Sequence, residues 1–160
     1  MAKVEFHDFS IQVKNAMDNA VIAFLHEAGN ELKSQAQRKT TRRSGKTAGA
    51  WKCVVDEAKQ IATVGNPEEN AIWEEMGTGE YALEGKGRKG GWHILIGEGE
   101  GKISQSEVNE YHFRVKYGKD GKKYAYTTGK KPKRMLHNAF MENKAKIVRR
   151  AEEILKGRLN

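Results

Sequence analysis

Apolar residues recur at spacings of three and four near the N-terminus, which places them on one face of a helix. This pattern predicts a helix from about Ser10 to Arg38, capped at its start by Asp8 or Ser10. Gly29 and Asn30 interrupt it. Because glycine destabilises a helix interior by up to about 1 kcal/mol relative to alanine, we expect a kink or two shorter helices. The stripe consists of Phe9, Val13, Met17, Ala20, Phe24, Ala28 and Leu32.

A second amphipathic segment lies at the C-terminal end. It follows Pro132 and predicts a helix from about Arg134 to Lys156. The side that we expect to be buried carries Leu136, Phe140, Ile147, Ala151, Ile154 and Leu155.

A shorter helix is predicted in the middle of the chain. Asn66 is a helix-capping residue, and Pro67 suits the first helical position. The helix would end at Gly77. One of its faces would carry Ile72, Trp73 and Met76.

Alternating apolar and polar residues predict strands between these helices. Two strands are expected within Trp51–Val64 and a third at Trp92–Ile96. A hairpin is expected over Tyr111–Thr127, because Asp120-Gly121 supplies a tight turn with positive φ.

The order helix, strands, short helix, strands, helix predicts an α+β fold. We expect a mainly antiparallel sheet packed by long N- and C-terminal amphipathic helices, in a single domain covering residues 1–160. Flexible loops are expected near 38–50, 79–91 and 118–123. An unbroken first helix would be about 43 Å long, and a domain of this size is roughly 40 Å across. We therefore expect neighbouring subunits to cover part of that helix.

Charge and cysteine content indicate which partners and which cellular compartment suit the chain. The 29 Lys and Arg against 21 Asp and Glu give a net charge of +8, which suits contact with nucleic acid or with an acidic protein surface. Along the sequence, however, basic and aromatic residues are not concentrated in one segment. Cys53 is the one cysteine, so no intrachain disulfide is expected, in keeping with a reducing compartment. We expect neither a secretion signal nor a membrane span, which needs about 18 apolar residues.

Three glycine-containing segments resemble phosphate-binding loops, but each lacks the required context. Gly45-Lys46-Thr47 has Thr40 where the first glycine of a Walker A loop belongs, and Gly101-Lys102 has Ile96 there. Gly85-x-Gly87-x-x-Gly90 is followed by a strand-like segment rather than by a helix. We interpret all three as loops.

Other catalytic or metal-binding patterns are equally weak. The histidines are scattered, and one cysteine cannot build a thiolate zinc site. Neighbouring glutamates on the short central helix are typical of a solvated face. We therefore predict a protein that is not an enzyme and has no cofactor. These glutamates are Glu68, Glu69, Glu74 and Glu75.

The segment Ala71-Ile-Trp-Glu-Glu-Met-Gly-Thr-Gly79 resembles the signature of a tail-component family of long-tailed bacteriophages. Two further segments resemble that family in the same order: Ser44–Trp51, and Lys131-Pro-Lys-Arg-Met-Leu136 with the alanine at 139. Thr47 and Met76 depart from the usual leucine and aromatic residue. The family-motif residues are Trp51, Trp73, Glu75, Gly77, Thr78, Gly79, Pro132 and Leu136.

The resemblance implies a structural virion protein in the head–tail connector or tail-completion ring, assembled in the bacterial cytoplasm. It implies as partners further copies of the chain in a hexamer or dodecamer, the portal-side and tail-tube proteins, and DNA in the channel. Contact arms are expected at Arg42, Arg43, Lys46, Lys122 and Lys123. Two alternative functions stay open: a non-sequence-specific nucleic-acid-binding protein and a small enzyme of a mobile element. For the glycine motif itself, the alternative is that it only ends a helix and has no role in contacting a partner.

Overall fold

The N-terminal apolar stripe forms one helix, α1, Ser10–Lys39, in the computed structural model, which describes residues 10–40 and 45–159. The alternative of two shorter helices divided at Gly29 is wrong, because α1 continues through this residue. Gly29 is buried, and a Cβ there would overlap Cys53 Sγ on a neighbouring strand. The glycine therefore permits close packing of the helix on that strand rather than ending the helix. Asp8 and Phe9 lie outside the described residues.

The chain divides into two compact units. The first unit consists of two parts of the chain, residues 1–68 and residues 135–160, and the second unit is the segment between them, Glu69–Arg134. In the first unit, α1 packs against a C-terminal helix and a β-hairpin. The elements of this unit after α1 are the short helix α2, Lys46–Gly49; the antiparallel strands β1, Lys52–Asp56, and β2, Ile61–Gly65; and the C-terminal helix.

That C-terminal helix, named α5, spans Met135–Leu159 and runs antiparallel to α1. Three ion pairs join the two helices along their length: Lys39–Glu142, Glu31–Lys146 and Glu27–Arg150. The core between them and the hairpin contains Ala36, Trp51, Met135 and Ala139, with Val64 and Leu136 packed against it.

Two expectations for this unit need correction. Phe140 and Leu155 are 42% and 40% exposed, contrary to the expectation that they lie on the buried side of α5. The apolar residues of α5 cover more of the helix surface than the part that faces the core. The flexible loop expected near 38–50 is largely helical among its described residues. There α1 runs through Lys39, and α2 begins at Lys46.

The second unit contains a three-stranded antiparallel sheet in the order β3–β5–β4. Beneath it lies a core of Ile103, Val108 and Ala125, against which Ile94, Ile96 and Phe113 pack. Its elements are α3, Glu69–Met76; β3, Trp92–Leu95; α4, Gln105–Glu110; β4, Arg114–Tyr117; and β5, Lys123–Thr127. The segment expected to be a loop near 79–91 includes two 3₁₀ turns, Gly79–Tyr81 and Leu83–Gly85.

The predicted hairpin begins later than expected, because the sequence interpretation missed α4. Ser104 caps this helix: its hydroxyl accepts the backbone N–H of Glu107, and the Glu107 carboxylate accepts the N–H of Ser104. The Phe113 N–H then donates to the Val108 carbonyl, so β4 begins at Arg114.

The start of α3 is also later than predicted. The Asn66 side chain accepts the N–H of Glu68, and the helix begins at Glu69 rather than at Pro67. The predicted α+β class is confirmed, with all strand pairs antiparallel but distributed over two small sheets rather than one.

Candidate functional site

The glycine-rich motif after α3 is held by a second segment about fifty residues further along the chain. We call this pairing of residues 74–80 with residues 128–133 the clasp. The Thr78 N–H donates to the Lys130 carbonyl at 2.9 Å, and the Lys130 N–H donates to Thr78 Oγ1, also at 2.9 Å. Further bonds run from the Glu80 N–H to the Thr128 carbonyl at 2.8 Å and from the Lys133 N–H to the Glu74 carbonyl at 2.7 Å.

Both glycines of the motif have positive φ and are enclosed by the opposite segment. Gly77 has φ +74°, and a Cβ there would lie 2.9 Å from the Lys130 carbonyl oxygen and from Pro132. Gly79 has φ +60°, and a Cβ there would overlap the Thr128 carbonyl oxygen. Any larger residue would therefore need both a strained backbone and a displaced partner.

The side chain of Glu74 adds an electrostatic contact to the clasp. It is 17% exposed and forms ion pairs with Lys130 and, at 3.3 Å, with Lys133. Burial by itself would raise the pKa of Glu74. The hydrogen bond from Lys130 and the charges of both lysines outweigh this, so the pKa lies below its ordinary value. The resemblance singled out Glu75 instead. Glu75 is half-buried, whereas the adjacent Trp73 is 48% exposed.

Trp51 and Leu136, two further motif residues, belong to the core of the first unit. The Trp51 indole Nε1–H donates to Thr40 Oγ1 at 2.8 Å, and the Thr40 hydroxyl donates to the Ala36 carbonyl at 2.8 Å. Thr40 is itself buried. This chain of bonds anchors the indole to the C-terminal end of α1, so Trp51 serves packing in this unit.

The proposed contact arms differ in their surroundings. Arg42 and Arg43 lie outside the described residues. Lys46 begins α2 and forms an ion pair with Glu68 at 2.8 Å; its hydrogen bond with that carboxylate raises the pKa of Lys46.

The two hairpin lysines occupy the exposed β4–β5 turn. Lys122 Nζ lies 3.9 Å from Asp120, and Lys123 Nζ lies over the Tyr117 ring, 5.8 Å from its centre. Both lysines are exposed. Their contacts within the hairpin are longer than the 2.8 Å ion pair of Lys46 with Glu68, so they are more readily available to a partner.

The interpretation of the glutamates as a solvated face is wrong for Glu74, which is 17% exposed and ion-paired. The roles of Thr40 and of the lysines that contact Glu74 were missed, because they depend on contacts between distant segments. Within residues 10–40 and 45–159, no group of three or more His, Cys, Asp or Glu side chains is placed to hold a metal ion. None of the helices described is long and apolar enough to cross a membrane. Comparisons with protein-family models, with curated proteins and with solved structures find no match.

Proposed function

We propose that this chain is a structural subunit of a long-tailed bacteriophage particle, within the head–tail connector or tail-completion ring. It acts by assembly rather than by catalysis. Its partners are further copies of itself in a hexamer or dodecamer, together with the portal-side and tail-tube neighbours. It is built into the virion in the bacterial cytoplasm.

The clasp is the observation that carries this proposal. The motif at residues 71–79 and the one at residues 131–136 were linked only by their order in the sequence. In the fold, Gly77 from the first lies against Pro132 from the second. Two chance matches would have no reason to meet. Their contact supports interpreting the two segments as parts of one motif, in which the glycines are required by space and φ.

The helix that leads into the clasp supplies a surface for assembly. Ile72 and Trp73 are 56% and 48% exposed, and Met76 is exposed on the same short helix. Exposed tryptophan is typical of the centres of protein interfaces, where its burial contributes most. Because the clasp fixes the end of α3, the backbone that carries these side chains is held in place before a neighbour binds. A ring that closes through unlike surfaces of adjacent subunits would use such a patch.

Deleting the gene from its phage and imaging the lysate tests the proposal. We expect filled heads separated from tails, and restoration of joined particles by the wild-type gene supplied in trans. Intact, infectious particles from the deletion strain would reject the structural role.

Complementation with surface variants then tests the assembly patch. We expect Trp73→Ala to reduce the titre at least tenfold, about 1.4 kcal/mol if the loss reflects binding alone. Val54→Ala is the matched control, since Val54 is an exposed apolar residue on β1 in the other unit. Equal titres from both variants would contradict a role for α3 in assembly.

A further inference from the structure

Strand pairing in the second unit places basic and aromatic side chains from three strands on one face of a sheet. Directly paired residues of neighbouring strands share one face of a sheet. In the β3–β5–β4 sheet one row across that face is His93, Tyr126 and Arg114, and the next is Leu95, Tyr124 and Lys116. Two tyrosines of the central strand are thus flanked by three basic or imidazole side chains. We call this set the tyrosine face.

The tyrosine face points away from the core of its unit. The intervening row is Ile94, Ala125 and Val115, and it lies on the opposite side of the sheet. Ala125 is fully buried, and Ile94 packs against the same core. Side chains alternate between the two faces of a strand, so the tyrosines lie on the outer side, where Arg114, Lys116 and His93 are exposed.

Both tyrosine rings are fixed by their hydroxyl groups. The Tyr124 hydroxyl donates to Asp120 Oδ2 at 2.9 Å, and the Tyr126 hydroxyl donates to the Gly90 carbonyl at 3.1 Å. The Lys116 ammonium lies 5.5 Å from the centre of the Tyr126 ring, within the range of a cation–π contact. The aromatic surface is therefore ordered before any ligand arrives, which reduces the entropic cost of binding.

An open groove of about 460 Å³ runs along this surface toward the hairpin turn. Its lining includes Tyr124, Tyr117, His93, Lys116 and Lys119. The hairpin from residue 114 to residue 123 carries five basic residues and one acidic residue, Asp120, which already accepts the Tyr124 hydroxyl. The groove is thus lined by both aromatic and cationic side chains.

We propose that the tyrosine face binds single-stranded nucleic acid. Arg114, Lys116 and Lys119 contact the phosphates, and an unpaired base stacks on Tyr124 in the groove. Backbone charge gives such a site affinity without sequence preference, and every base offers a face for stacking. This site is independent of the assembly proposal, and binding by purified protein tests it without a phage.

A nucleic-acid duplex and an acidic peptide would each fit this surface less well than a single strand. In a duplex the bases are stacked on one another, so their faces are not offered to Tyr124. An acidic peptide would pair with the lysines but would leave the aromatic rings of the groove without a flat partner. The combination of ordered rings and lysines therefore favours a strand with exposed bases over either alternative.

Fluorescence anisotropy with a labelled oligothymidylate of about 12 nucleotides, within the range of known site sizes, tests the proposal. We expect the double variant Lys116→Gln with Lys119→Gln to weaken binding at least tenfold. We also expect it to flatten the slope of log affinity against log salt by about 1.4, because each phosphate contact contributes about 0.7 on single strands. Lys14→Gln with Lys52→Gln is the matched control, since both lysines are exposed in the other unit. It should change neither quantity appreciably.

A second pair of variants isolates stacking from charge. Tyr124→Phe keeps the ring and should retain most of the affinity, whereas Tyr124→Leu should lose at least about fivefold. Circular dichroism of each variant verifies that the hairpin is intact. The proposal is overturned if the control pair weakens binding as much as the hairpin pair, or if Phe and Leu at position 124 behave alike. It is also overturned if a duplex of equal length or poly-glutamate competes as well as the single strand.

Discussion

Replacing Gly79 by alanine tests whether the clasp holds the second unit together. The added Cβ would overlap the Thr128 carbonyl oxygen and lie 2.8 Å from the Trp92 ring. The residue would also have to keep φ near +60°. The left-handed conformation costs an L-residue about 1–2 kcal/mol, and overpacking typically adds about 1–3 kcal/mol. We expect Gly79→Ala to lower the free energy of unfolding by about 2–5 kcal/mol.

Gly85→Ala separates the backbone cost from the cost of the contact. Gly85 has φ +69°, but nothing lies within 4 Å of the position that its Cβ would take. This variant should therefore show only the backbone cost of about 1–2 kcal/mol. The difference between the two variants measures the steric term alone, for which we expect about 1–3 kcal/mol.

Urea denaturation followed by circular dichroism and tryptophan fluorescence measures both variants. A loss of 1 kcal/mol lowers the melting temperature of a chain of this size by about 2–4 °C, so thermal melts should separate the two variants by about 2–12 °C. Equal destabilisation by the two alanines would refute the reasoning, because it would mean that the segment at 128–130 moves aside without cost.

Three further predictions follow from named contacts. Trp51→Phe removes the indole donor to Thr40 in a buried site and should destabilise the first unit by about 1–3 kcal/mol, measured by urea denaturation against Thr40→Val and the double variant. The lowered pKa of Glu74 means that its ion pairs stabilise the fold fully above the ordinary value of 4.5 and lose this effect as the pH falls through the folded pKa. The wild type should therefore lose stability below about pH 4.5 more steeply than Glu74→Gln, and parallel curves would contradict this. Lys122→Glu with Lys123→Glu should weaken particle assembly or DNA retention, and an unchanged infectious titre would count against an arm at this turn.

The long helices and the hairpins were predictable because their signals are local. The stripe of α1 and the alternation in β1, β3 and β5 can be identified within about ten to thirty residues. The helix α4 was missed, although Ser104 and Glu107 have the spacing of a capping box. It has six residues, of which Val108 is the buried one, so there is too little periodicity to detect.

The candidate sites depend on contacts that local patterns do not encode. Gly77 ends α3 as predicted, and both Gly77 and Gly79 have positive φ, but nothing in the sequence identified Lys130 or Thr128 as the residues opposite them. The tyrosine face shows the same difficulty. The expectation that basic and aromatic residues are not concentrated in one segment is wrong for the hairpin at residues 114–126, which holds most of this face. What the sequence does not show is that these residues share one side of a sheet with His93, because that follows from the register of three strands.

Both cores contain fully enclosed alanines beside a few larger side chains, which bears on how this protein is stabilised. Ala36, Ala125 and Ala139 are fully buried, and Met135 is the largest side chain excluded from solvent among the described residues. At about 25 cal/mol per Å² of apolar area, small side chains contribute less than leucine or phenylalanine would. Meanwhile Trp73 and Met141 remain about half exposed. Because alanines fill part of both cores while Trp73 and Met141 stay about half exposed, the chain gains stability when neighbours cover those exposed groups, which supports the proposed role in assembly.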